Sequence, residues 1–174
     1  MLDACVLINI LASGRAQEIL TNSQQEFAVC TVVSKESIYL RSADPSAPPE
    51  AVDLKRFVEA RCLRVYGLQG NEEEALYVDY AADLDDGEAM SLALAFSRGF
   101  LVATDDRKAR RIFLEDTEDA TRLLSTTQIV KGWSEKADLS AAETKQLLRE
   151  ISARGRFSPH SGDPEFPWWS KSIA

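Results

Sequence analysis

Apolar and polar positions along the chain fall into short blocks whose period switches back and forth. Asp3 to Ala12 (DACVLINILA) is an apolar run closed by Ser13-Gly14, and it predicts the end of a short strand passing into a helix. Arg15 to Leu20 adds a helical turn or two. Phe27 to Val33 (FAVCTVV) is rich in β-branched residues and predicts a buried strand. Ser34 then offers an N-cap for a helix over 35–40. The prolines of 44–49 predict a loop. The spacing of Val52, Phe57 and Val58 predicts a helix over Glu50 to Ala60, and Leu63 to Tyr66 a short strand. Asn71 starts a helix whose first acids, Glu72 to Glu74, suit a positive helix N-terminus.

Asp85-Asp86-Gly87-Glu88 opens the next helix, which carries Leu92 to Phe96 and ends at Gly99. Phe100 to Ala103 is an apolar strand running into Thr104-Asp105-Asp106. Arg107 to Glu115 is a basic helix, and Thr121 to Thr126 another strand. Ser140-Ala-Ala-Glu143 is a capping box for a helix with Leu147, Leu148 and Ile151 on one face. After Arg156 the chain loses periodicity, so residues 157–174 are expected to be an irregular, aromatic tail. Strands alternating with helices predict an α/β fold with a mostly parallel sheet.

Composition narrows the chemistry. At 174 residues the chain is the size of one domain. It has no stretch of 18 apolar residues, so no membrane span is expected. The apolar N-terminus lacks a basic flank and carries Asp3, which reads against a secretory signal. Cys5, Cys30 and Cys62 form no C-x-x-C pair, which suits reduced thiols in a cytoplasmic protein. A single histidine, His160, leaves no His-rich zinc site and no ordinary Ser-His-Asp triad. Phosphate-binding glycine loops are absent. Twenty-eight acids against 20 basic residues give a net charge of −8, which excludes a generic basic nucleic-acid coat.

Carboxylates remain, and their placement matters more than their number. Asp3 closes the first short strand, Glu36 follows FAVCTVV, Glu88 opens a helix after Gly87, and Asp105 and Asp106 follow FLVA. Carboxyl ends of parallel strands gather at one edge of the sheet, where ligands bind. Acids brought together there repel one another and lose hydration, so they call for a cation, and all-oxygen donors favour Mg²⁺ or Mn²⁺. Such ions hydrolyse phosphodiesters without histidine. Each acid also has a plain alternative as an N-cap or a first-turn helix acid.

These residues carry a resemblance. Leu2-Asp3-Ala-Cys-Val-Leu-Ile-Asn-Ile-Leu, Val33-Ser-Lys-Glu36, Leu84-Asp-Asp-Gly-Glu88-Ala-Met-Ser-Leu-Ala and Thr104-Asp105-Asp106-Arg-Lys-Ala-Arg110 resemble the PIN-domain family of VapC-type toxins. The likeness runs over about residues 1–130 and is most specific over 84–111. It implies a three-layer fold with a central, mostly parallel sheet flanked by helices. It further implies a catalytic domain over 1–132, with a C-terminal helix (133–156) packed on it and the tail (157–174) following. Asp3, Glu36, Glu88 and Asp106 would be the catalytic, metal-binding quartet for Mg²⁺ or Mn²⁺, with Asp105 and Thr104 in support. The activity implied is endoribonuclease cleavage of RNA, as the toxin of a toxin–antitoxin pair, with an antitoxin protein and a second copy of the chain as partners. The family often has Ser, Thr or Asn just after its first aspartate, and here Ala4 and Cys5 stand there.

Arg107 and Arg110 share a helix face beside the last acids and are candidates for RNA-phosphate contacts, against the plainer reading of a solvated face. Trp168 and Trp169 could stack on bases or pack on the chain's own surface. Two alternatives stay open: a PIN-fold binding module whose site is silent, and another metal-dependent phosphotransfer enzyme such as a phosphatase. Against the latter, Asp3 is followed by Ala4-Cys5, where a second acid of a D-x-D loop would stand.

Overall fold

A computed structural model describes residues 1–22, 25–36, 38–42 and 46–174. In chain order the elements are helix α1 (Ala4–Ala12), α2 (Ala16–Asn22), strand β1 (Ala28–Cys30), α3 (Thr31–Lys35), β2 (Ile38–Leu40), β3 (Glu50–Val52) and α4 (Lys55–Glu59). Then come β4 (Arg64–Tyr66), α5 (Gly70–Ala81), α6 (Asp86–Arg98), β5 (Val102–Ala103) and α7 (Arg107–Thr117). A 3-10 turn (Ala120–Arg122), β6 (Leu123–Leu124), α8 (Thr126–Lys136), α9 (Ala141–Gly155) and α10 (Phe166–Ile173) complete the chain. The protein is mixed α/β, mostly helical, with short strands in small sheets. No helix among the described residues is long and apolar enough to cross a membrane.

The chain divides into two compact units that interleave in sequence. The first comprises Met1–Val6, Glu26–Glu36 and Leu54–Leu124, and the second Leu7–Gln25, Ser37–Asp53 and Ser125–Ala174. In the first unit β1 pairs in parallel with β4, and β5 in parallel with β6. The N-terminal segment joins the two pairs. Leu2 bridges Ala103 in parallel, Asp3 N donates to Ala103 O (3.0 Å), Ala103 N donates to Met1 O (2.8 Å), and Leu2 N donates to Ala28 O (2.7 Å). The hydrogen-bonded row therefore reads β4, β1, Met1–Asp3, β5, β6. Its middle is buried: Leu2, Val29 and Val102 are almost fully enclosed.

Helices α5 and α6 are tied by a buried ion pair. Arg98 donates Nε and Nη2 to the two oxygens of Glu73 (2.7 and 2.8 Å), and Nη2 also reaches Gly67 O at 2.9 Å. Glu73 meanwhile accepts Gln69 N (2.6 Å), the N-cap residue of α5. One carboxylate thus links the start of one helix to the end of the next, with charge-assisted bonds on both oxygens. In the second unit β2 and β3 pair antiparallel. Helices α9 and α10 pack together, and a Cβ at Gly155 would stand 2.8 Å from Asn9 Oδ1, so the end of α9 lies tight against α1.

Six expectations are corrected. The strand predicted over Phe27 to Val33 stops at Cys30, because Cys30 Sγ accepts Val33 N (3.4 Å) and caps a helix through the β-branched Thr31-Val32-Val33. Ser34 lies inside that helix and is not its cap, and the described part of 38–40 is strand. Glu50 to Ala60 is not one helix: β3 takes Glu50–Val52, where a partner strand is within reach, and helix begins at Lys55. The strand over 121–126 shrinks to Leu123–Leu124, with Ser125 capping α8 in a capping box. The tail is not irregular throughout, since Phe166–Ile173 is helical with Pro167 in its first turn. Trp169 is buried against Phe157 in an edge-to-face contact (centroids 5.3 Å apart), which takes it out of contention for stacking on bases. The region predicted as one C-terminal helix holds the end of α8 and all of α9. Of the predicted 44–49 loop, Asp44 and Pro45 lie outside the described residues.

Gly99 ends α6 in the left-handed conformation (φ 69°, ψ 23°) with open space around it. Gly99→Ala therefore brings strain and no clash, and is expected to cost about 1 kcal/mol in urea unfolding. An unchanged midpoint would contradict this reading of the cap.

Candidate acidic site

The site belongs wholly to the first unit. Asp3 lies where the central Met1–Asp3 segment turns into α1, and it is 3% exposed. Its Oδ1 accepts Ala4 N (2.7 Å), and its Oδ2 accepts Thr104 Oγ1 (2.9 Å) and Cys5 Sγ (3.1 Å). These donors favour the ionised form, yet burial outweighs them and pushes the carboxyl up from its usual value. Burial and the Asp3 charge push the Cys5 thiol up, so it stays protonated and able to donate.

Thr104 follows β5 and is fully buried. Its hydroxyl donates to Asp3 and accepts Asp106 N (3.1 Å), so one side chain connects two acids. Asp106 is the N-cap of α7, with Oδ1 accepting Lys108 N (2.7 Å) and Ala109 N (2.9 Å). Asp105 is half-buried, and its charge acts on the Cys5 thiol.

Glu36 caps the C-terminus of α3 and is exposed. A Cβ at Gly87 would stand 3.1 Å from Glu36 Oε1 and 3.2 Å from Val33 Cγ2, so only a glycine lets α6 start this close to that carboxylate without displacing it. Glu88 lies in the first turn of α6, in a capping box with Asp85: Glu88 N donates to Asp85 Oδ1 (2.8 Å) and Asp85 N to Glu88 Oε2 (3.4 Å). Burial raises both glutamates, and neighbouring carboxylates raise them further, Asp85 and Asp3 for each and Asp106 for Glu88 as well. Glu88 is pushed up to about 7.

Asp3, Glu36, Glu88 and Asp106 thus share one electrostatic field. Asp3 and Asp106 follow strands and Glu88 opens a helix, as expected, whereas Glu36, expected just after a strand, stands at the C-terminal end of α3. Among the described residues, no three side chains of His, Cys, Asp and Glu stand close enough together to hold a metal ion as placed. The donors match a hard divalent cation in kind, and their mutual repulsion is the condition such an ion relieves.

The structure adds one acid. Asp85 raises Asp3, Glu36 and Glu88 alike, so it belongs to the same field. In sequence it reads as an N-cap only, although its place three residues before Glu88 is the signal. The structure also separates the two candidate arginines. Arg110 is half-buried, with Nη1 donating to Thr104 O (2.9 Å) and Leu124 O (2.8 Å), so that end of its guanidinium is engaged by backbone. Arg107 is exposed beside Asp106. Arg111 pairs with Glu115 and Lys108 with Asp83 on the surface.

Compared with family models, curated proteins and solved structures, the chain matches none.

A carboxyl raised on folding binds its proton more tightly in the native state. The stability this gives is fully present below the unfolded value, near 4.5, and is lost as pH rises through about 7. Glu88→Gln removes the group, so the fall in melting temperature between pH 4.5 and 7.5 should be smaller in the variant than in the parent. Parallel curves would show that Glu88 is not strained by its neighbours.

Proposed function

We propose that the protein is a metal-dependent endoribonuclease of PIN type, with Asp3, Glu36, Glu88 and Asp106 holding Mg²⁺ or Mn²⁺. The observation that carries the proposal is the shared field. Three of these four acids have raised proton affinities, first through loss of hydration and then through neighbouring carboxylates: Asp85 acts on all three, Asp3 on Glu36 and Glu88, and Asp106 on Glu88. A protein keeps such an arrangement at functional sites more often than elsewhere. The row β4, β1, Met1–Asp3, β5, β6 supports the central sheet of a three-layer PIN-like arrangement, with Asp3 and Thr104 at the carboxyl ends of adjacent segments. Further support is the resemblance of the 84–111 block to the motif order of that family.

The bound ion would supply a nucleophilic water and stabilise the leaving oxygen of a phosphodiester. The chain's own residues supply the rest. Thr104 holds Asp3 and Asp106 in register, and Gly87 leaves room for Glu36. Arg107 offers its charge to an RNA phosphate next to the acids, which offsets the protein's net −8 where the substrate must approach. An antitoxin protein and a second copy of the chain are the partners this reading brings with it.

One observation favours a second reading, a PIN-fold module without activity. Both oxygens of Asp3 already accept donors, one of them the Cys5 thiol where the family often carries a hydroxyl or amide. A full set of donors on Asp3 competes with a cation.

Calorimetric titration with Mn²⁺ at pH 8, paired with cleavage of a mixed-sequence RNA, separates the two. The nuclease reading expects micromolar-to-millimolar binding and cleavage, both lost in Asp3→Asn and in Asp106→Asn. Asparagine is as good an N-cap as aspartate, so Asp106→Asn should keep its melting temperature within a few degrees. No binding at millimolar Mn²⁺ supports the silent module, and full activity in both variants sinks the assignment. Arg107→Ala is expected to lower kcat/KM by ~3–10-fold, chiefly through KM, with the effect shrinking as salt rises. An unchanged KM at low salt removes Arg107 from the RNA path.

A further inference from the structure

We infer that Arg110 is a positioning residue for the acidic site, acting through Thr104 on Asp3 and Asp106, and not an RNA contact. The inference rests on the proposed reading of those two acids as cation ligands. Five bonds make a continuous path. Arg110 Nη1 donates to Thr104 O at 2.9 Å and to Leu124 O at 2.8 Å. Thr104 N donates to the same Leu124 O at 3.2 Å, so the residues just past β5 and β6 are locked to each other and to α7. Thr104 Oγ1 then donates to Asp3 Oδ2 at 2.9 Å and accepts Asp106 N at 3.1 Å.

The direction of influence follows from what is free to move. β5 and β6 are two residues each, too short to hold their ends rigid by their own ladder. Beyond Ala103 the chain leaves regular structure until Arg107, and Thr104 must nevertheless present its hydroxyl to Asp3 with a fixed χ1. The guanidinium fixes the Thr104 carbonyl from the other side, six residues further along the chain. Thr104 is completely buried and Arg110 half-buried, so water does not readily take over these bonds. The charges that most perturb Asp3, Glu36 and Glu88 are other carboxylates, so Arg110 acts by geometry and not by neutralising the field. The same helix therefore carries two arginines with different tasks: Arg107 faces outward for substrate, and Arg110 faces inward for the acids.

The test combines two readouts on the whole chain: amide exchange of Asp106 by NMR without metal, and Mn²⁺ affinity by calorimetry. Arg110→Met should speed Asp106 exchange at least tenfold beyond any change at Leu94, a core residue of α6, and weaken Mn²⁺ at least tenfold. Thr104→Val should do the same, and the double variant should be no worse than either single one, as one path requires. Arg111→Met, which removes only the surface pair with Glu115, should leave both readouts unchanged. Arg110→Lys retains donors and serves where Arg110→Met does not fold; its losses should be partial and in the same two readouts. Wild-type exchange at Asp106 and wild-type Mn²⁺ affinity in a folded Arg110 variant, with only the melting temperature lowered, would reduce Arg110 to a structural clamp and overturn the inference. Absence of Mn²⁺ binding in the parent protein overturns the cation reading alone, and the exchange arm still supports or overturns the link from Arg110 to Asp106.

Discussion

A carboxylate that is 3% exposed, in the middle of a hydrogen-bonded row of strands, has to be held by its surroundings or lose its charge. Asp3 is held by three donors, from the backbone of Ala4, the hydroxyl of Thr104 and the thiol of Cys5. Burial still wins, and its proton affinity rises. Much of the first unit follows from that constraint. The Met1–Asp3 segment has to be pinned on both sides, and it is, by Ala28 and by Ala103. Thr104 has to be buried to reach Asp3, and Arg110 holds the Thr104 carbonyl. Glu36, Asp85, Glu88 and Asp106 then stand within range of the same charge. A site so arranged is strained when it is empty of cations, which is the physical content of the nuclease proposal.

The excess of acids changes meaning at this point. As a sum, −8 argues against nucleic acid. By location, five acids of the first unit form a field that a divalent ion would reverse in sign. Others have ordinary structural work. Glu73 links α5 and α6 through Arg98, Asp119 caps the 3-10 turn, and Glu143 completes the capping box of α9. On the proposed reading, RNA comes in over Arg107, since Lys108 and Arg111 on the same helix are already paired.

Long periodic helices with strong ends were legible in the chain. The Ser140 capping box and the Gly99 stop stand where the pattern puts them, because caps are local chemistry. Short strands were less so. Thr31-Val32-Val33 looks like strand and is helix because Cys30 caps it, a role the residue type does not advertise. Glu50–Val52 looks like helix and is strand because Ile38–Leu40 lies alongside, a contact distant in sequence. The acids of the site were legible as types at strand and helix ends. Two things were not. Asp85 hides behind its cap role, and the inward turn of Arg110 depends on where the carbonyls of Thr104 and Leu124 point. Nothing in helical spacing separates it from Arg107, one turn away on the same face.

The central claim is that Asp3, Glu36, Glu88 and Asp106 close around one or two divalent ions. The most direct measurement is anomalous scattering from a crystal soaked in Mn²⁺. The expected result is a peak with carboxylate oxygens of at least three of these residues at ~2.0–2.3 Å, and with Asp3 Oδ2 released by the Cys5 thiol. Absence of a peak at full soak, with Asp3 still holding its bonds to Ala4, Thr104 and Cys5, would contradict it.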